Sequence, residues 1–135
     1  MASKGSPMKL FGVFPMFMLL ACQGAAEIDL SQENDGAIHI AISKEGDDRP
    51  CVYGLSISHT SGGKIRHDWD IYLEEGRRDF CVNRFTYPNL PPHYYLLQKP
   101  YALKPGEKYE VSATGVGFGV GKQFVRVELP SHHPE

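Results

Sequence analysis

From residue 37 to residue 130 the apolar positions recur every second residue, the period of an extended strand with one face in a core. Ile38, Ile40 and Ile42 fall on one side and His39 and Ala41 on the other, between the turn-forming runs Asn34-Asp35-Gly36 and Gly46-Asp47-Asp48. Cys51, Tyr53, Leu55 and Ile57 repeat the pattern, and Ser61-Gly62-Gly63 follows as a hairpin turn. Trp69, Ile71 and Leu73 then share a face opposite Asp68, Asp70 and Tyr72, and Glu75-Gly76 turns the chain again. Phe80-Cys81-Val82 reads as a short strand and Tyr94 to Gln98 as another. Tyr109, Val111 and Ala113 alternate with Glu110, Ser112 and Thr114, and Val125, Val127 and Leu129 close the series. Seven or eight short strands with turn signals every 8 to 12 residues or so predict an all-β chain, an antiparallel sandwich of Ig-like, Greek-key type.

One local motif supports that architecture. In Leu103-Lys104-Pro105-Gly106-Glu107-Lys108-Tyr109, Pro presets φ for the second place of a type II turn and Gly accepts the positive φ of the third. The Tyr beyond it has the position of a tyrosine corner, ring in the core and hydroxyl bonded to backbone across a Greek-key connection. The corner follows Cys81 instead of preceding it by two residues, so an antibody-type domain is not expected.

The start of the chain follows different rules. Lys9 precedes a 12-residue apolar run, Leu10 to Ala21, that contains Pro15. That is short of the roughly 20 residues a spanning helix needs, and it has the build of a secretory signal. Leu19-Leu20-Ala21-Cys22 resembles the lipobox of bacterial lipoproteins, in which the thiol is acylated and the chain is cut just before it. The resemblance makes residues 1–21 a signal peptide, Cys22 the lipidated first residue, 22–36 a short tether, 37–130 the sandwich and 131–135 a tail. Gln23 behind the Cys implies, on the same resemblance, outer-membrane sorting with the domain facing the periplasm. Translation could begin at Met1 or Met8.

Processing leaves 114 residues, room for one domain. Lys4 and Lys9 are removed with the signal, so 12 basic residues face 16 acidic ones, a formal charge of −4 that argues against nucleic acid as a partner. With Cys22 assigned to lipid, Cys51 and Cys81 are an even pair in an oxidising compartment, and a disulfide is expected. It would close a 31-residue loop, worth roughly 3.5 to 4 kcal/mol in the chain-entropy account.

Candidate chemistry is sparse. The six histidines, His39, His59, His67, His93, His132 and His133, form no metal-ligand spacing. Asp68 and Asp70 straddle Trp69, which on a regular strand puts two carboxylates about 7 Å apart on a solvated face. Gly115 to Gly121 lacks the Lys-Ser/Thr ending of a phosphate loop and reads as a flexible hairpin connection with Phe118 at its tip. No catalytic residue, metal or cofactor is expected. The aromatic and proline-rich segment from Arg84 to Tyr101 is the more suggestive one: Tyr87, Tyr94 and Tyr95 are candidate contacts for a partner, although half or more of its rings are expected in the core. Phe118 and the charged loop carrying Asp47 and Asp48 complete the candidate surface.

The lipobox, the Cys pair, the second Cys within Phe80-Cys81-Val82, the Tyr87-Pro88 step, the Pro105-Gly106-x-x-Tyr109 turn and the closing Phe124-Val125-Arg126-Val127 strand together resemble the type VI secretion immunity periplasmic lipoproteins of enteric bacteria. The Pro- and Tyr-rich stretch after Cys81 is longer here than in that family. The resemblance implies a non-enzymatic, lipid-anchored envelope protein that binds and neutralises a protein toxin. The alternative expectation is a structural or accessory lipoprotein of a secretion or surface assembly, recruiting its partner along a sheet edge.

Overall fold

The computed structural model describes residues 25–128; the segment read as a signal peptide, Cys22, Leu129 and the tail with His132 and His133 lie outside the described residues. Eight strands run in chain order: β1 (Ala26–Gln32), β2 (Ile38–Lys44), β3 (Val52–Ser61), β4 (Lys64–Leu73), β5 (Arg84–Tyr87), β6 (Tyr94–Leu96), β7 (Lys108–Gly115) and β8 (Phe118–Val125). All pairings are antiparallel, in a three-stranded sheet ordered β1-β2-β5 and a five-stranded sheet ordered β6-β4-β3-β7-β8. The order β1-β2-β5 against β4-β3-β7-β8 is that of an Ig-like sandwich with β4 as an added strand beside β3, while β6, which follows β5 in the chain, is added outside β4. Among the described residues no helix is long and apolar enough to cross a membrane.

The core is the meeting of the two inner faces. The smaller sheet supplies Ile28, Ile38, Ile40, Ile42, Phe85 and Tyr87. Against them the larger sheet packs Val52, Leu55, Ile57, Trp69, Ile71, Tyr94, Tyr109, Val111 and Ala113. Trp69 meets Tyr87 edge to face with centroids 5.3 Å apart, and Phe85 meets Tyr94 the same way at 5.5 Å. Turn chemistry sets the register: Gly62 and Gly63 take φ of 60° and 80°, as a two-residue hairpin between β3 and β4 requires.

The tyrosine corner forms. The Tyr109 hydroxyl accepts the Lys104 N–H at 2.7 Å, the Glu107 N–H bonds the Lys104 carbonyl at 3.2 Å, and Gly106 has φ of 82°. The disulfide also forms, joining Cys51 and Cys81 across a Cα–Cα distance of 5.3 Å and tying the start of β3 to the approach of β5.

Several sequence expectations need correction. The tether assigned to 22–36 contains β1, whose Ile28 and Leu30 alternate with Glu27, Asp29 and Ser31 and pair with Ile42 and Ile40 of β2. Phe80-Cys81-Val82 is not a strand: Arg78–Phe80 is a single 3-10 turn, and the strand starts at Arg84. Single bonds satisfy that approach in place of a ladder, with the Val82 N–H on the Tyr94 hydroxyl at 3.0 Å and the Asn83 side chain on the carbonyls of Ile42 and Asp48. Gly119 and Gly121 are not part of a flexible connection but lie within β8, opposite Thr114 and Ser112. The last strand ends at Val125, and both Val125 and Val127 are exposed.

Replacing Tyr109 with Phe keeps the ring but orphans the Lys104 amide. The expected loss is about 1–3 kcal/mol of unfolding free energy, read from the midpoint of a urea titration; an unchanged midpoint would refute the role given to the hydroxyl.

Candidate partner-binding surface

Two added residues in the ladders of the larger sheet decide which side chains reach water. Val52 pairs with Gly115 and Gly54 with Thr114, so Tyr53 is an extra residue in β3. Ile57 pairs with Trp69 and Ser58 with His67, so Asp68 is an extra residue in β4. Each bulge puts two successive residues on one side of the sheet and reverses the alternation beyond it.

The first bulge builds a cleft. Val52 stays in the core while Tyr53 turns to the outer face, where Tyr72 of β4 and Tyr95 of β6 stand directly opposite one another. The three tyrosines, with Glu74, Glu75 and Arg78 on the rim, line a mainly apolar cleft of about 530 Å³, within the size range of ligand and anchor pockets. Tyr72 is 39 % exposed and Tyr95 42 %. Tyr72 lies flat over Gly54: a Cβ there would stand 2.8 Å from Tyr72 Cε1 and 3.0 Å from Thr114 Oγ1. Leu96, Leu97 and Phe80, also exposed, are close by in sequence.

The second bulge turns Asp68 inward together with Trp69, so the two aspartates do not share a solvated face. Asp68, only 2 % exposed, accepts a 2.6 Å hydrogen bond from His59 Nδ1, and Arg66 Nε lies 3.7 Å from its other oxygen. Arg66 in turn stacks on Tyr101, its guanidinium carbon 3.6 Å from the ring centre. His59 Nε2 faces Glu107 Oε1 at 3.9 Å, so the imidazole sits between two carboxylates and not against a hydroxyl. That arrangement orients a histidine and closes a polar end of the sandwich. Among the described residues no three His, Cys, Asp or Glu side chains converge as a metal site needs. Asp70, partly buried, has its carboxyl pushed up by desolvation, with His67 pulling it back.

The residues singled out from sequence disperse. Tyr87 and Tyr94 are core residues, 8 % and 3 % exposed, and the Tyr94 hydroxyl donates to the Val52 carbonyl at 2.6 Å. Phe118 is not at a loop tip but opens β8, half-buried against the core with Lys44 Nζ 5.9 Å above its ring; the exposed tip residue is Val116. Asp47 and Asp48 are exposed in a tight turn, where Asp47 Oδ1 accepts the Arg49 N–H at 3.0 Å. Tyr95 alone lines the cleft, and its partners Tyr53 and Tyr72 escaped sequence reasoning. Tyr53 was hidden by the bulge. Tyr72 carried a signal in its position opposite an apolar strand face.

No family model matches the chain, and neither the curated proteins nor the solved structures contain a significant match.

Burial raises the phenol ionisation of Tyr87, Tyr94 and Tyr109. The unfolded chain therefore gives up these protons first, so stability is fully kept below the ordinary tyrosine range near pH 10 and falls as pH rises through and beyond it. Unfolding free energies measured from pH 8 to 11.5 should decline above pH 10, less steeply in Tyr94→Phe; a flat profile would contradict the buried placement. At the cleft, Gly54→Ala should displace the Tyr72 ring and remove its nuclear Overhauser contacts with β3, at about 1 kcal/mol or less because that ring is half in water. Retained contacts would show that the ring does not rest on Gly54.

Proposed function

We propose that this chain is a lipid-anchored envelope protein that binds and neutralises a secreted antibacterial toxin by covering part of it, without chemistry of its own, and that the tyrosine cleft is the contact. The cleft is the observation that carries the reading. Tyrosines offer large, stiff contact area at low entropic cost, and three of them around one depression on a sheet face that also carries Gly54, Ser56, Asp70 and Thr114 form a natural anchor pocket. The formal charge of −4 on the processed chain would speed encounter with a toxin whose cleft is basic.

Topology adds an orientation. β1 begins at Ala26, four residues after Cys22, and the Ala25 carbonyl accepts the Glu45 N–H at 3.0 Å. Four residues span at most about 14 Å, so a lipid on Cys22 would hold the Glu45–Arg49 turn close to the bilayer. Asp47 and Asp48 would then face the membrane, and the outer face of the five-stranded sheet would be open to a partner from the side. Edge pairing, which the accessory reading requires, finds little room beside β4, β8 and β1. β6 and the strap behind it occupy the free side of β4, with the Leu97 and Tyr101 amides on the Asp70 and Asp68 carbonyls. β8 is bridged to β1 by Lys122 on the Ile28 carbonyl and by Gln32 on Val125 and Val127.

The test is to export each toxin encoded beside this gene to the periplasm, with and without this protein. Relief of one toxin, recovery of the complex, and loss of both in a folded Tyr72→Ala, Tyr95→Ala double variant are the expected results. Relief that survives the double variant moves the contact elsewhere, and the absence of relief for every neighbouring toxin ends the proposal.

A further inference from the structure

A buried guanidinium that forms no ion pair among the described residues lies at the end of the sandwich away from Ala26. Arg126 follows β8 and is 7 % exposed. Its backbone is fixed on both sides, the N–H on the Glu107 carbonyl at 2.9 Å and the carbonyl accepting the Gly106 N–H at 2.7 Å. Its side chain crosses to the other sheet, where Nη2 donates to the Gly36 carbonyl at 2.8 Å. Nη1 is buried and has no hydrogen-bond partner among the described residues, and none of their carboxylates forms an ion pair with this arginine.

Burying a cation unpaired is among the costlier things a small domain can do, and such charges are ordinarily matched by an anion. Arg126 forms part of the wall of a cleft of about 410 Å³ bounded by Asp35, Gly36, Tyr87, Asn89 and Leu103. One N–H of Nη2 is committed to Gly36 and Nη1 is sealed from solvent, so a carboxylate entering the cleft would be held by the charge of the guanidinium that lines it and not by a two-point fork. Asp35 stands in the same wall with one oxygen taken up by the Ala37 N–H at 3.0 Å. Its charge favours a singly charged guest over a phosphate dianion. We infer that the Arg126 cleft is a binding site for a carboxylate carried by an external ligand, such as an acidic side chain or the free C-terminus of a peptide. The site is independent of the tyrosine cleft and lies on another surface of the domain.

The probe is acetate, titrated into the isotopically labelled processed chain at constant ionic strength against chloride. The expected result is saturable movement of the Arg126 side-chain N–H and of the Gly36 and Ala37 amides with acetate but not chloride. Arg126→Met, checked for an intact fold by its other amide signals, should weaken acetate at least about tenfold, the size of one charge-assisted hydrogen bond. If that variant fails to fold, Arg126→Lys, which keeps the charge but loses the planar guanidinium, should weaken acetate while leaving a residual shift. No saturable acetate response in the unaltered protein overturns the inference. So does a response that appears only when the chain is shortened after Leu129, because the occupant would then be the protein's own tail.

Discussion

One residue added to a β ladder reverses every side chain beyond it, and the larger sheet depends on two such additions. Had β3 run without a bulge, Tyr53 would share the core face with Leu55 and Ile57, and Val52 would be lost to solvent. Had β4 done so, Asp68 would lie in water and His59 would lose its 2.6 Å hydrogen bond, keeping only Glu107 at 3.9 Å. The bulges at Tyr53 and Asp68 divide the sandwich into an apolar middle, an aromatic depression on its outer face and a polar end. Neither insertion breaks the sheet, because Ile57 still meets Trp69 and Leu55 still meets Ile71 across β3 and β4.

The polar end is held more firmly than its composition suggests. Asp68 is tied to His59 and lies near Arg66, its backbone carbonyl receives the Tyr101 amide, and Tyr109 packs edge-on against His59 at 5.5 Å. The tyrosine corner lies over the same region, so the connection from Leu103 to Tyr109 serves at once as a turn, a cap on the core and a wall beside Arg126. At the opposite end the Cys51–Cys81 bond takes over that task where β5 is only four residues long and its approach carries no ladder. A small domain with short strands thus has a covalent tie at one end and a hydrogen-bonded one at the other.

The sequence was most readable where a local rule is strong. Ile38, Ile40 and Ile42 announce a half-buried strand, Ser61-Gly62-Gly63-Lys64 a two-residue hairpin, Pro105-Gly106 with Tyr109 a corner, and the two cysteines left after Cys22 a disulfide. It was least readable where the outcome depends on partners distant in the chain. Periodicity carries no mark of an inserted residue, so Tyr53 looked internal and Asp68 external. β1 lies in the stretch read as a tether, and its Ile28 and Leu30 acquire meaning only opposite Ile42 and Ile40. Tyr87 and Tyr94 looked like surface aromatics because prolines surround them, yet their rings fill the gap between sheets that Trp69 and Phe85 leave. Arg126 gave no signal at all, being one arginine in an alternating strand end.

The most direct measurement is the pattern of cross-strand Hα–Hα nuclear Overhauser effects along β3 in the isotopically labelled protein. The account requires close pairs consistent with Ile57 opposite Trp69, Ser58 opposite His67 and Gly54 opposite Thr114, together with contacts from the Tyr53 ring to Tyr72. An unbroken register, with Ser58 opposite Asp68 and the Tyr53 ring touching Leu55 and Ile57, would contradict it and remove both the cleft and the buried His59–Asp68 pair.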